Sequence, residues 1–350
     1  MIRDVLMNTP RLPAEWEEQS AVQLTWPHEG TDWADNLADT LPVFAQIGAA
    51  ITRFETLLCV VNNDAHAEQV KQLLLDAGAD LTMARFAQAP CNDTWARDHG
   101  ALTAIDENEQ PIINDFIFNG WGNKYPAELD TQITQALIDQ QVLNGTHLPS
   151  PLVLEGGAIE TDGQGTLLAT RSSILNANRN GNLSQEAMEA ELTQRFGFKR
   201  YLWLSEGEMT GDDTDAHIDV LARFTSSNDI VFTTADTSDE DYWPLHAMQK
   251  ELQAFTNLEG APYRLHALPP AGELYDEDGR RLSASYANFL IINGAVLLPV
   301  YGVDADEKAI KVLQDLFPDR EIISINCRRI IEQNGSLHCL TMQYPAQLAL

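Results

Sequence analysis

Basic residues are scarce in this sequence. Its 350 residues include 22 lysines and arginines against 52 aspartates and glutamates, which gives a formal net charge of -30. Nucleic-acid binding needs clustered basic side chains, and so does attraction to anionic membranes. The charge therefore argues against both kinds of partner and would favour encounter with a small cation. A solvated acidic surface with no such role is the simpler explanation of the charge alone.

Cysteines are also few, and long apolar runs are missing. The four cysteines are far apart and show no CxxC pairing, which is neither a zinc pattern nor a disulfide-dense framework. Residues 1–21 lack the basic segment and apolar core of a secretory signal. No apolar run approaches the roughly 20 residues needed to span a bilayer. We therefore expect a protein of the reducing cytoplasm.

No linker or low-complexity segment divides the chain, so a single domain over residues 1–350 is expected. Units of strand, helix and strand recur around 21–98, 112–170, 200–267 and 288–343. Helices are predicted over 36–54, 65–77, 129–141, 184–196, 241–256 and 304–317, and strands over 21–27, 56–61, 80–86, 112–118, 229–234 and 321–326. Asp162-Gly163 and Asn293-Gly294 predict hairpin turns. Frequent hairpins make a conventional parallel sheet less suitable than an α/β fold with internal repetition.

Ionisable side chains are clustered in residues 211–224. Four carboxylates and the imidazole of His217 lie within eight residues, directly before an apolar run. If this stretch is a strand, Asp215, His217 and Asp219 share one face, whereas a helix would separate His217 from Asp219. We predict the strand, with a polar front suited to a positively charged ligand.

Two further segments carry candidate functional groups. Cys339 follows Asn334-Gly335 in a strand-like context, where a single cysteine is usually an inert buried residue. A catalytic role requires a base that is near in space, and His338 would face the other way in a strand. Asp98 lies beside Arg97 and could equally form an ion pair or cap a turn. The paired glycines after Glu155 lack the spacing of a phosphate-binding loop.

Six separated motifs together show a specific resemblance. They are Pro13-Ala14-Glu15-Trp16, Asn92-Asp93-x-Trp95-x-Arg97-Asp98-x-Gly100, Phe118-Asn119-x-Trp121-Gly122-x-Lys124-Tyr125, Glu155-Gly156-Gly157-x-Ile159-Glu160, Asp212-Asp213-Thr214-Asp215-x-His217-Ile218-Asp219 and His338-Cys339. Their order resembles that of the agmatine deiminases, within the porphyromonas-type peptidylarginine deiminase family of guanidino-group-modifying enzymes. The resemblance implies a five-bladed α/β propeller built from pseudo-fivefold ββαβ repeats. Asn334-Gly335-Ser336-Leu337 replaces a common glycine triplet, and Ala216 replaces a common glycine.

The resemblance also implies the roles of the site residues. Cys339 would be the nucleophile, His217 the general acid and base, and Asp98 and Asp219 the carboxylates that bind a guanidinium. The further substrate-binding candidates are Trp95, Trp121, Glu155 and Asp213. The implied reaction is hydrolysis of agmatine to N-carbamoylputrescine and ammonia through a covalent amidino-cysteine, in polyamine biosynthesis, with neither metal nor organic cofactor. The expected partner is a small cationic guanidino substrate, and a homodimer is compatible with the resemblance.

Three alternatives stay open. Arginine or peptidylarginine could be the substrate on the same scaffold, although arginine would need a cation near the entrance of the site. Asp212, Asp213 or Asp215 could receive the distal ammonium of agmatine. His217 with Asp213, Asp215 and Asp219 could instead bind a divalent ion or a polyamine, although one histidine among carboxylates is a weak metal signal.

Overall fold

The structure is a computed structural model that describes residues 10–350. The strands are β1 Gln19–Thr25, β2 Thr56–Val61, β3 Ala84–Gln88, β4 Leu102–Ile105, β5 Pro111–Ile117, β6 Thr146–Val153, β7 Glu160–Thr161, β8 Thr166–Thr170, β9 Arg200–Leu204, β10 Ala222–Ser226, β11 Asp229–Phe232, β12 Arg264–Ala267, β13 Leu274–Tyr275, β14 Arg281–Leu282, β15 Leu290–Ile292, β16 Ala295–Val300, β17 Glu321–Asn326 and β18 Thr341–Pro345. The longer helices are Leu37–Ile51, Asp64–Asp76, Ile133–Asp139, Gln185–Phe196, Tyr242–Ala254 and Ala305–Leu316. Short helical turns are Ala34–Asn36, Leu81–Met83, Ala96–His99, Gly120–Asn123, Asp130–Gln132, Gly156–Ala158, Arg171–Ile174, Ala177–Asn180, Ile218–Val220, Ile330–Gln333 and His338–Leu340.

Five sheets repeat one pattern. In β4–β6, β7–β9, β10–β12 and β15–β17, the first two strands are antiparallel and the third is parallel to the second. The sheet β18-β1-β2-β3 starts in the same way, with β18 antiparallel to β1 and β2 parallel to it. A helix precedes each parallel strand, as parallel pairing requires a crossover. The fold is therefore mixed α/β with internal repetition, and within residues 10–350 no sheet closes on itself.

Local sequence signals explain most of these elements. Helix Leu37–Ile51 buries Leu41, Phe44, Ile47 and Ile51, which recur at helical spacing. The Ser184 side chain accepts a hydrogen bond from the backbone of Ala187 and so caps helix Gln185–Phe196. The predicted strands 56–61 and 321–326 are confirmed at their bounds, the six predicted helices overlap the observed ones, and both predicted hairpins are present as β7–β8 and β15–β16.

Three predicted strands were wrong in whole or in part. Residues 211–217 form a loop that leads into the helical turn Ile218–Val220, and β10 begins only at Ala222. The side chain of Asp212 accepts hydrogen bonds from the backbone of Thr214 and Ala216, and these bonds turn the chain where an extended strand was expected. The predicted strand at 80–86 starts only at residue 84, after a helical turn. The strand-like context predicted for Cys339 was also wrong, because Cys339 lies in the helical turn His338–Leu340 and β18 begins only at residue 341.

Over residues 10–350, no helix combines the length and the apolar composition needed to cross a membrane. The first nine residues, which form part of the segment expected to lack a secretory signal, lie outside the described residues.

Candidate active site

Short helical turns bring the predicted catalytic groups together. Asp98 lies in the turn before β4, Asp219 in the turn before β10, and Cys339 in the turn before β18. Gly157 lies in the equivalent turn before β7, and Asn288 precedes β15. Each group therefore occupies the same place in its own repeat, directly before the first strand of a sheet. Asn288 was missed in the sequence because a single asparagine before an apolar strand carries no distinctive signal.

Cys339 is buried among polar groups. Its Sγ lies 3.6 Å from Oδ2 of Asp219 and 3.2 Å from Nδ2 of Asn288. Burial raises the pKa of the Cys339 thiol well above its usual value, and the carboxylates of Asp219 and Asp98 raise it further. The thiol is therefore protonated unless a positive charge enters the site.

The two aspartates are held differently. Asp98 accepts hydrogen bonds from Nε1 of Trp121 at 2.9 Å and from the backbone nitrogen of Gly157 at 3.0 Å. Asp219 Oδ2 lies 2.8 Å from Nδ1 of His338, and its buried Oδ1 has no partner within residues 10–350. Burial raises the pKa of Asp98, as do Asp219 and Glu155. Burial acts the same way on Asp219, but the hydrogen bond and charge of His338 outweigh it and lower the pKa of Asp219.

His217 is fully buried, and neither ring nitrogen has a hydrogen-bond partner in the described part of the chain. Its Nδ1 lies 3.6 Å from Oδ1 of Asp98, and its Nε2 lies 4.0 Å from Oε2 of Glu155. Burial lowers the pKa of His217 to about 3, so the ring is neutral at physiological pH. Buried polar atoms without partners are rare. The lowered pKa makes the free imidazole a weak base, and its two carboxylate neighbours would stabilise the imidazolium once a proton reaches it.

Glu155 and Arg179 together hold the loop that precedes His217. Both carboxylate oxygens of Glu155 lie 2.8 Å from Nε of Arg179. Arg179 also donates to Oδ2 of Asp215 at 2.7 Å and to the carbonyl oxygen of Thr214 at 2.9 Å. These contacts hold Asp215 and Ala216 in the left-handed region, with φ of 65° and 66°. Arg179 was not predicted, because its partners are distant along the chain.

A cavity leads to Cys339 and Asp98, and its empty space of about 380 Å³ includes the part that is open to solvent. Its walls include the indole rings of Trp95 and Trp121, whose centroids are 6.4 Å apart. The remaining lining residues are Asp32, Asp93, Tyr125, Asp213, Thr214, Gln333, Asn334 and Gly335. No lysine or arginine is among these lining residues, so the cavity wall that residues 10–350 form carries carboxylates and no basic side chain.

Two carboxylates of the cavity have distinct environments. Asp213 Oδ2 accepts hydrogen bonds from the hydroxyl of Tyr125 at 2.7 Å and from Nδ2 of Asn334 at 2.8 Å. Asp93 accepts one hydrogen bond from Trp95, but its buried Oδ1 has no partner among residues 10–350. Burial raises the pKa of Asp93 to about 8, and Asp32 and Asp130 contribute to the rise.

The other sequence candidates lie around this cavity. Glu155 lies behind His217 and does not line the cavity, whereas Trp95, Trp121 and Asp213 do. Asp212 caps its own loop, and Asp215 is paired with Arg179 and Lys124. Within the described residues, no group of three or more histidine, cysteine, aspartate or glutamate side chains could hold a metal ion.

The chain is similar to known proteins over almost its whole length. A sequence model of the porphyromonas-type peptidyl-arginine deiminases matches residues 11–345. The chain is 31% identical to an agmatine deiminase of Stutzerimonas stutzeri, over 97% of this chain and 98% of the relative.

Two solved structures are similar over nearly their whole length. A protein of Porphyromonas gingivalis, provisionally named an arginine deiminase, has 45% identity and a TM-score of 0.90, covering 97% of this chain and 100% of that one. The agmatine deiminase of C. jejuni, in a cysteine-to-serine variant with substrate bound, has 34% identity and a TM-score of 0.87, covering 96% of each chain. With the family match extending over almost all of the sequence, the chain belongs to the porphyromonas-type peptidyl-arginine deiminase family.

Proposed function

We propose that this protein hydrolyses agmatine to N-carbamoylputrescine and ammonia, with Cys339 as the nucleophile, as a step toward putrescine. The observation that carries the proposal is a cavity with a thiol and Asp98 at its inner end, further carboxylates along its length and no basic residue among the described residues that line it. Agmatine has a cationic group at each end of a four-carbon chain. Its guanidinium and its ammonium would both meet negative charge in this cavity.

The inner end suits a planar cation. Asp98 and Asp219 approach Cys339 from separate turns, and Asp219 Oδ1 is available to accept a hydrogen bond. A guanidinium held between two carboxylates makes paired, charge-assisted hydrogen bonds that keep its central carbon in place. Trp95 and Trp121 would flank the aliphatic chain.

Substrate binding would also activate the nucleophile. In the free protein Asp219 and Asp98 add to the effect of burial in raising the pKa of Cys339. A bound guanidinium offsets their charge and places a positive group beside the thiol, which lowers its pKa. The neutral imidazole of His217 then takes the thiol proton, and Asp98 and Glu155 stabilise the imidazolium that forms.

The remaining steps use the same two side chains. The thiolate sulfur attacks the central guanidinium carbon and forms a C–S bond. Protonated His217 donates its proton to the departing nitrogen, the C–N bond breaks and ammonia leaves. His217 next deprotonates a water that attacks the same carbon. The C–S bond breaks, and protonated His217 returns its proton to the thiolate. The remaining hydroxyl proton passes to ammonia or solvent as the ureido product forms.

Charge in the cavity favours agmatine over arginine. Arginine carries an additional α-carboxylate at the end away from the guanidinium, and this group would meet Asp32 and Asp213 without a compensating cation in the described lining. Repulsion between the substrate's α-carboxylate and the aspartates of the cavity wall would oppose the binding of arginine. Asp93, with its unpartnered Oδ1, is the best placed to receive the distal ammonium.

We also propose a five-bladed propeller fold, a single domain and a cytoplasmic location. The five sheets with equivalent turns before their first strands support a five-bladed propeller, in one domain, with the site on the axis of pseudo-symmetry. All four cysteines carry free thiols, which supports a cytoplasmic location.

A substrate panel tests the proposal. Ammonia release is measured with agmatine, free arginine and a peptide ending in arginine, and Cys339 is examined by mass spectrometry for an amidino adduct during turnover. We expect kcat/KM for agmatine to exceed that for either arginine substrate by at least about 100-fold, because leaving one charged group unpaired in the site costs about that much.

Matched cysteine variants separate the nucleophile from structural effects. Cys339→Ala should abolish turnover and adduct formation, whereas Cys59→Ala, which removes a buried thiol from strand β2, should retain turnover. Near wild-type activity of Cys339→Ala, or a preference for either arginine substrate, would contradict the proposal.

A further inference from the structure

We propose that His338 is a positioning residue that keeps Asp219 ionised and directs its free oxygen to the substrate guanidinium. This inference rests on the proposed function. The sequence pattern suggested that His338 would point away from Cys339. In the structure both residues lie in the helical turn His338–Leu340, and both side chains approach the same carboxylate, that of Asp219.

The imidazole of His338 is held from both sides. Its Nδ1 lies 2.8 Å from Oδ2 of Asp219, and its Nε2 lies 2.8 Å from Oε2 of Glu15. The residue is 2% exposed. The backbone nitrogen of His338 donates to Oδ1 of Asn288 at 2.9 Å, so the main chain is fixed as well.

Glu15 is itself immobilised. Its Oε2 accepts a hydrogen bond from Nη2 of Arg223 at 2.8 Å, and its Oε1 accepts one from the backbone of Ile291 at 2.7 Å. Arg223 also donates to Glu160 at 2.6 Å. Burial raises the pKa of Glu15, but Arg223 and His338 outweigh it, so that Glu15 is ionised. Nε2 of His338 must therefore carry a proton.

Two hydrogen bonds require two protons. Because Nε2 donates to Glu15, the short contact between Nδ1 and Asp219 needs a second proton between those two atoms. Overall the pKa of His338 is lowered, because burial, Arg223 and Arg97 outweigh Glu15 and Asp219. The second proton is therefore inferred from the two 2.8 Å contacts with carboxylate oxygens and not from the basicity of the ring. With the second proton in place, Asp219, His338 and Glu15 together carry a net charge of -1. Without it the net charge would be -2, and Oδ2 of Asp219 would face a ring lone pair at 2.8 Å.

This arrangement has two consequences for the site. The contact occupies Oδ2 of Asp219 and leaves Oδ1 as the oxygen available to the guanidinium. It also offsets one negative charge 3.6 Å from Sγ of Cys339. If His338 lost its donor, Asp219 would face Asp98 and the thiol without compensation, and its pKa would rise.

The test is the pH dependence of kcat/KM for agmatine. His338→Leu removes both donors, whereas His338→Asn keeps an amide donor near the position of Nδ1. We expect His338→Leu to lower kcat/KM by about 10- to 100-fold at pH 7, the effect of losing one charge-assisted hydrogen bond. The acid limb of the pH profile, where kcat/KM falls at low pH, should move to higher pH in His338→Leu, because Asp219 must be ionised to bind substrate. His338→Asn should restore most of the activity and return the acid limb toward the wild-type position.

Controls separate positioning from a general loss of structure. His66→Asn removes another buried imidazole, one that lies in helix Asp64–Asp76, and should leave the acid limb unchanged. If His338→Leu does not fold, His338→Gln replaces it, because its amide reaches toward Glu15 and leaves Asp219 without a donor. An unshifted acid limb in the folded variant, or equal losses for the leucine and asparagine variants, would overturn the inference.

A second readout keeps this test independent of agmatine turnover. The rate at which 2-chloroacetamidine, an amidinium probe, alkylates Cys339 is measured over the same pH range. The same upward displacement of the acid limb is expected for His338→Leu. If the wild-type protein reacts with the probe but does not turn over agmatine, the proposed function fails, and the probe profile still decides the role of His338.

Discussion

Gly157→Ala should inactivate the protein through a single methyl group. A Cβ at this position would lie 2.6 Å from Nδ1 of His217, 2.9 Å from Oδ1 of Asp98 and 3.2 Å from Oδ2 of Asp219. Favourable contacts of carbon begin near about 3.5 Å, so the nearest atom must move by about 1 Å. Displacements of about 1 Å in a catalytic site cost about 100-fold in rate. Overpacking should also lower the free energy of unfolding by about 1–3 kcal/mol.

The control for this variant is Gly272→Ala. Gly272 has φ of +81°, and no described atom lies within 4 Å of an added Cβ. This substitution should lower the free energy of unfolding by about 1–2 kcal/mol through backbone strain alone. Urea unfolding and kcat/KM for agmatine are measured for both variants. We expect similar losses of stability, with an activity loss of about 100-fold confined to Gly157→Ala.

One outcome would refute the steric reasoning. If Gly157→Ala folds and its kcat/KM stays within about threefold of the wild type, the three groups do not need the positions that the structure gives them. An equal activity loss in Gly272→Ala would show that lower stability, and not displacement of His217, reduces the rate.

Three further predictions concern the walls of the site. The pKa of Asp93 is raised to about 8, so this carboxyl is mostly protonated at pH 6 and becomes charged as the pH rises to 8.5. KM for agmatine should therefore fall over this range. Asp93→Asn should raise KM about tenfold and remove the pH dependence, which steady-state kinetics between pH 6 and 8.5 would show. Arg179→Ala leaves the buried Glu155 without its partner and should lower the free energy of unfolding by about 3–5 kcal/mol in urea titrations, and an unchanged midpoint would contradict that role. Gly335→Ala would drive a Cβ into the ring of Trp95, so KM for agmatine should rise while 2-chloroacetamidine still alkylates Cys339. An unchanged KM would show that the ring does not confine the substrate.

Local elements and net charge could be predicted from the order of the residues alone. Strand Thr56–Val61 is a continuous apolar run, helix Gln185–Phe196 has its serine cap, and the Asn293-Gly294 step favours a hairpin. Each of these signals acts between residues that are close along the chain. The order of six short motifs also indicated Cys339, His217, Asp98 and Asp219 as one set, although nothing in their spacing placed them in contact.

The shape of the site depends on contacts between residues that are distant along the chain. The alternation of apolar and polar residues at 215–219 suits a strand equally well, and the loop forms because Asp212 and Arg179 bind its backbone. Asn288 contacts Cys339 across 51 residues, and Glu15 reaches His338 across 323. A local pattern cannot encode such pairs, because they depend on how five sheets bring their equivalent turns to one buried point. The sequence therefore predicts which chemical group each site residue contributes, but it does not predict which residue that group contacts.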